Sequence, residues 1–229
     1  MKVGFVVTAH HSPEYRPNGI EFISKFCTSL NESCKYEFNL YVVDNASTET
    51  LILPDNAINI RIDDQTINGI TGAWNTGIYR AYSDGCDIII NCNDDLWFNE
   101  TVNTFIERIC LLYSENSIYG PLSNGIIHGP QKSNQPRLGT VHCSCIDAHT
   151  VVNGFCFAMT RSHYEKFRFQ EDKYFNKNNK HNGGDGKWGG QEGQFIENSE
   201  KGLFGTIINE CWLPHVKVRG WTYLKDQGK

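Results

Sequence analysis

The sequence predicts an α/β fold, a single domain built on a largely parallel sheet flanked by helices. Two observations carry this. Short apolar runs alternate with stretches whose apolar residues recur at helical spacing through the first half of the chain, which is the rhythm of β-α-β units. The run Asp87-Ile88-Ile89-Ile90-Asn91-Cys92 reads as a buried strand that ends abruptly in Asn93-Asp94-Asp95. Aspartate is a poor strand residue and costly to bury, so the two acids belong at the strand's exposed end.

Each element has its own signal. Val3 to Thr8 is a first strand, followed by a loop holding Pro13 and Pro17. From Ile20 to Leu30 the apolar residues Ile20, Ile23, Phe26, Cys27 and Leu30 keep a helical period. Phe38 to Val43 is a second strand closed by Asp44-Asn45-Ala46-Ser47, and Ile58 to Ile62 a short third. A helix over Ile70 to Tyr82 carries Gly69, Gly72 and Gly77 on or beside it, and packing or a close ligand must offset their poor propensity. After the Asp87 to Asn91 strand comes a helix over Thr101 to Tyr113, with Asn99 as its cap.

The second half is less regular. Residues 120–150 read as loop, Val151 to Thr160 as strand and Arg161 to Phe167 as a short helix. The polar, glycine-rich stretch Asn176 to Gly193 reads as a mobile loop. A helix over Gln191 to Lys201 is closed by Gly202 at its C′ position, and strands follow at Gly205 to Asn209 and His215 to Tyr223.

Composition narrows the classes. A chain of 229 residues with 39% hydrophobic content suits one well-cored domain, and there is no linker, repeat or low-complexity tract to divide it. A net charge of −5 argues against a general nucleic-acid binder. Nine cysteines without a CxxC pair, several of them in apolar settings, point to a reducing compartment. No apolar run reaches the roughly 18 residues of a membrane span. The expectation is a soluble, cytoplasmic protein.

Ligands of open α/β sheets bind outside the carboxyl ends of the strands. The residues there are Thr8, Ala9 and His10 after the first strand, Asp44 and Asn45 after the second, and Asp94 and Asp95 after the fourth. Asp44 can accept hydrogen bonds from a ribose or base edge, or it can simply close an Asx-turn with Asn45 and Ser47. Asp94 or Asp95 can ligate Mg²⁺ or Mn²⁺ bound to a diphosphate, or Asp94 can cap a solvated turn. His10 and His11 are adjacent strand residues that point to opposite faces, so they do not chelate together. Trp74 and Trp97 read as packing residues. Trp188, in the glycine-rich loop, is a candidate platform for an acceptor sugar.

Five segments, in order, resemble the GT-A glycosyltransferases, in particular the inverting family 2 enzymes that include rhamnosyltransferase-like members. They are Phe5-Val6-Val7-Thr8-Ala9-His10, Tyr41-Val42-Val43-Asp44-Asn45-Ala46-Ser47-Thr48, the helix Asn68-Gly69-Ile70-Thr71-Gly72-Ala73-Trp74-Asn75-Thr76-Gly77, the DxD-like Asn93-Asp94-Asp95, and Val152 to Arg161. The resemblance implies one GT-A domain over residues 1–229, with a nucleotide-sugar-binding half (1–115) and an acceptor-binding half (116–229). It also implies that Thr8, Ala9, His10 and Asp44 hold the nucleoside and that Asn75 lies near the ribose or diphosphate, with Asn45 a further substrate-binding candidate. Asn93, Asp94 and Asp95 would meet the donor. Asp95 takes the last place of the metal motif, and His215 resembles a late histidine that reaches the metal or diphosphate. Glu192, in Gly189-Gly190-Gln191-Glu192-Gly193, stands where the family has its catalytic base, although an acid there also suits a helix N-terminus. Two departures stand out. The first motif position is Asn93 instead of an acid, and the usual pair of acids at the base is Gln191-Glu192.

The implied reaction is inverting transfer of a sugar from a nucleotide-diphosphate donor to a hydroxyl of a glycan or glycoconjugate, assisted by Mn²⁺ or Mg²⁺. A sugar-phosphate nucleotidyltransferase is disfavoured, because Ala9-His10-His11-Ser12-Pro13-Glu14 lacks a Gly-rich, basic triphosphate loop. A module that binds a sugar nucleotide or glycan without turnover is the alternative from a different class.

Overall fold

Alternating burial along the strands divides the apolar residues between two faces of one sheet, and amphipathic helices cover both. The computed structural model describes residues 1–125, 129–144, 152–167 and 202–216. Along the chain run β1 (Val3–Ala9), α1 (Gly19–Ser33), β2 (Phe38–Asn45), β3 (Ala57–Ile62), α2 (Gln65–Ser83), β4 (Ile88–Asn93) and α3 (Thr101–Leu112). Then follow β5 (Ser117–Leu122), β6 (Thr140–Ser144), β7 (Cys156–Thr160), α4 (Arg161–Phe167) and β8 (Phe204–Trp212).

The eight strands form one mixed sheet in the order β3-β2-β1-β4-β7-β5-β8-β6. The β3-β2-β1-β4 half is parallel throughout, while β7 runs antiparallel to both β4 and β5. One face buries Phe5, Val7, Leu40 and Ile90 against Ile23, Phe26 and Leu30 of α1 and Phe105 and Ile109 of α3. The other buries Val6, Tyr41, Val43 and Ile89 against Ala73, Trp74 and Ile78 of α2 and Tyr164 and Phe167 of α4. Chain order reverses between β1 and β4. From β1 the chain moves outward to β2 and β3, then crosses back to β4 on the other side. Such a switch point opens a crevice at the strands' carboxyl ends.

The β-α rhythm of the first half stands as expected, with differences at its ends. Asn99 acts just ahead of α3, where its Oδ1 accepts the Thr101 backbone N–H at 3.0 Å. Gly77 serves packing, since a Cβ there would lie 2.3 Å from Val6 Cγ1 and 2.8 Å from Val43 Cγ2. Gly69 breaks the path of α2 with φ 58° and ψ −149°, a conformation open to glycine. Trp74 packs edge-on against Phe157, with ring centroids 5.4 Å apart.

One strand, β6, and the end of another, β5, lie in the stretch that reads as loop. β5 contains Gly120-Pro121, a turn signal in isolation, yet it pairs with both β7 and β8 and shifts register at Pro121/Leu122. A bulge is where a strand tolerates proline. β6 pairs with β8 at the end of the sheet. β8 extends to Trp212, beyond the expected Asn209. The expected loop 176–193 and helix 191–201 lie outside the described residues, as does most of the last expected strand. His215 makes an isolated bridge with Leu96. Among the described residues no helix is long and apolar enough to cross a membrane.

Candidate active site

The ends of β1, β2 and β4 meet at the switch point, and short polar contacts stitch them together. β1 and β4 run in register from Val3↔Ile88 to Thr8↔Asn93, so Thr8 and Asn93 stand side by side at the crevice. The His10 ring Nδ1 lies 2.9 Å from the Asn45 carbonyl oxygen. The Ser47 hydroxyl accepts the His11 backbone N–H at 2.9 Å, and His11 O accepts the Thr48 N–H at 2.9 Å. His11 points elsewhere, its Nε2 3.2 Å from Glu49. The two histidines therefore do not form a joint site. Burial, opposed by the Asn45 carbonyl, holds the His10 imidazole below its ordinary value, so it stays neutral near pH 7.

Asp44 is almost wholly buried and both its oxygens are used. Oδ1 accepts the Ser47 N–H at 3.0 Å, the Asx-turn that its sequence allows. Oδ2 accepts from Arg61 Nη1 at 2.7 Å, and Arg61 Nη2 donates to Ser47 O at 2.9 Å. Asp44 and Arg61 are register partners across β2 and β3, which is why they meet. The turn holds Ala46 at φ 58°, a strained conformation for a residue with a side chain.

The acid pair after β4 is buried, where an exposed strand end was expected, because Arg16 and His215 supply partners for the two carboxyls, and the pair divides. Asp94 is 1% exposed and accepts a hydrogen bond from Arg16 Nη2, with Arg16 itself 8% exposed. Burial pushes the Asp94 carboxyl above the ordinary carboxylate range; Arg16 pulls it back, and Asp95 beside it pushes it up again. Asp95 faces the other way. Its Oδ1 lies 3.1 Å from His215 Nε2, and its carbonyl accepts the Val216 N–H at 2.9 Å. The Trp97 N–H reaches Pro214 O at 3.0 Å, and His215 stacks on Phe155 at 5.2 Å. Phe155 O in turn accepts the Asn93 N–H at 2.9 Å. Three segments distant in sequence thus converge on the strand end.

Several buried polar atoms at this crevice have no hydrogen-bond partner among the described residues: Thr8 Oγ1, both amide atoms of Asn45, Asn93 Oδ1 and His215 Nδ1. Buried polar groups are ordinarily satisfied, so such a cluster calls for a polar ligand or ordered water. Asn75 lies on α2, close to fully buried. A carboxylate and an imidazole are donors that Mn²⁺ accepts, so Asp95 and His215 fit the ion. Among the described residues no group of three metal-ligating side chains occurs. Phosphate oxygens and water would complete the shell, as they do for such ions at diphosphates. Glu192 and Trp188 lie outside the described residues.

Arg16 and Arg61 escape a motif-based reading. Each is a lone arginine, and its only sequence signal is position: Arg16 in the loop after the first strand, Arg61 on the outward face of β3. Their partners are 78 and 17 residues away.

Comparison with known proteins agrees with this fold. Residues 14–125 match the family described as glycosyl transferase family 2. Among solved structures, Staphylococcus aureus TarS 1-349 in complex with UDP-GlcNAc superposes with a TM-score of 0.62 at 13% identity, over 97% of this chain and 61% of that one. The mannosyltransferase PcManGT from Pyrobaculum calidifontis, in complex with GDP-Man and Mn²⁺, gives 0.61 at 13% identity, over 97% and 59%. GalNAc-T7 with UDP, GalNAc and Mn²⁺ gives 0.61 at 11%, over 96% and 44%. The chain therefore spans about three fifths of the first two structures, and the likeness is one of fold. No curated protein sequence matches it.

Proposed function

We propose, for a chain that carries a glycosyl transferase family 2 domain of GT-A fold, that it transfers a hexosyl or deoxyhexosyl group from a nucleotide-diphosphate sugar to a hydroxyl of a glycan or glycoconjugate, with inversion. One observation carries the reading. Asp95 and His215, 120 residues apart, meet 3.1 Å from one another at the switch-point crevice, beside buried polar atoms that lack partners among the described residues.

In this reading Thr8, Ala9, His10, Asp44 and Asn45 receive the nucleoside, and Asn75 and Asn93 lie toward the ribose and diphosphate. Asp95 and His215 hold Mn²⁺ or Mg²⁺, which supplies Lewis-acid neutralisation of the leaving diphosphate. Glu192 takes the proton of the acceptor hydroxyl while that oxygen attacks the anomeric carbon. The bond from that carbon to the diphosphate oxygen breaks, and the electron pair leaves with the diphosphate. Trp188 offers a stacking face to the acceptor sugar. Seven cysteines, among them the buried Cys27, Cys86, Cys92, Cys156 and Cys211, are free thiols, which supports a reducing, cytoplasmic setting.

Donor turnover by the full chain tests this. Asp95→Ala should lose at least about a hundredfold in transfer. Glu192→Gln should lose transfer by about 10²–10⁴-fold while keeping its affinity for the nucleoside diphosphate. Undiminished transfer in both variants sinks the assignment.

A further inference from the structure

Arg16 is fixed from three sides before any ligand arrives. Its N–H donates to Ser12 O at 2.8 Å and its carbonyl accepts the N–H groups of Ser12 and Gly19, closing residues 12–16 into a bridged loop. Its guanidinium carbon sits 5.6 Å from the centre of the Phe22 ring, and its tip meets Asp94. A buried pair of this kind is costly to break, because separation leaves an uncompensated charge. Asp94 is therefore held back from any cation in the crevice.

We propose that Arg16 sets the charge of the metal site. By engaging Asp94 it leaves Asp95 as the one uncompensated acid of the motif, so that a divalent cation binds together with a nucleoside diphosphate and not alone. The proposal rests on the reading of Asp95 as a metal ligand. Charge arithmetic supports it. Asn93 contributes no charge, Arg16 and Asp94 cancel, and Asp95 remains. A single carboxylate with one imidazole is a weak cage for a hard divalent ion, which takes its further oxygens from phosphates and water. Arg16 thus makes the site of this chain a joint one. The ion needs the diphosphate, whose oxygens complete its shell. As a positioning residue Arg16 acts through Asp94.

The test titrates Mn²⁺ into the full chain, following the electron paramagnetic resonance signal of the free ion, with no nucleotide, with UDP and with GDP. Metal-free UDP and GDP binding is measured alongside. The wild-type chain should bind Mn²⁺ with one of the nucleotides and at least about tenfold more weakly without it. Arg16→Met should tighten Mn²⁺ alone by about tenfold, because Asp94 is released, and weaken the metal-free nucleotide. The opposite signs matter. A merely structural arginine would weaken both or neither, and either result overturns the proposal. Arg16→Lys keeps the charge and should stay near wild type. Asp94→Asn approaches from the other partner and should tighten metal-free nucleotide binding. No change there overturns the proposal even where Arg16→Met does not fold. Failure of the wild-type chain to bind Mn²⁺ with either nucleotide, or full binding in Asp95→Asn, overturns the reading of Asp95 instead.

Discussion

Asp94 and Asp95 are chemically the same residue one position apart, and the environment gives them different work. The chain turns out of β4 at this point, so one carboxyl enters the wall beside Arg16 and the other faces His215. A sequence motif cannot distinguish them, because the partners that do so are 78 and 120 residues away. His163 shows the same dependence on surroundings in a purely structural role. It is fully buried beside Phe167 in α4, and burial pulls its imidazole from 6.5 down to about 3, against the backbone near Glu115. The sign follows from proton linkage. The unfolded chain binds the proton below about 6.5 and the folded chain does not, so stability is complete above that pH and falls as pH drops toward about 3. The slope approaches about 1.4 kcal/mol per pH unit. Urea melts of the wild-type chain and of His163→Leu between neutral pH and about pH 5 should differ by this loss. His10, held low by burial, and Asp94, held high, stay in both chains and act with opposite signs, so they drop out of the difference.

Among the elements, α2 shows how packing overrides propensity. Replacing Gly77 by alanine should gain about 0.5–1 kcal/mol in helix propensity. The new Cβ, however, would stand 2.3 Å from Val6 Cγ1, and overpacking of a tight core costs about 1–3 kcal/mol. The second effect is larger. Gly77→Ala should lower the denaturation midpoint, and a midpoint equal to or above wild type would show that α2 can shift away from β1 and β2. The elements that were legible from the sequence are β1, α1, β2, β3, α2, β4, α3, β7, α4 and the body of β8, the last two strands with different ends. β5 was hidden by Gly120-Pro121 and β6 by a surrounding run of turn residues. Both are strands because β8 and its neighbours supply hydrogen-bond partners, which no local pattern records.

At the scale of the molecule, the crevice ties β1, β2, β4, the segment before β7 and the segment after β8 into one unit. A ligand bound there holds folded chain only, so it stabilises the whole by mass action. With a nucleoside diphosphate and Mn²⁺ together at about a hundred times their joint Kd, the gain should be about 2.7 kcal/mol. The reading would be a higher melting temperature for the pair than for either component alone. Equal melting curves with and without the pair would count against the crevice as the donor site. The sequence by itself determined the α/β class, the order of the first strands and the strand ends that carry Thr8, Asp44 and Asp94-Asp95. Those features are written in local periodicity and in the poor fit of aspartate inside a strand, although Asp44, Asp94 and Asp95 are all buried where they stand. Only the tertiary structure decided that Asp95 faces His215, that Arg16 holds Asp94 and that Arg61 holds Asp44. These pairings arise from strand register and loop closure across the sheet, and long-range geometry of that kind leaves no local trace in the chain.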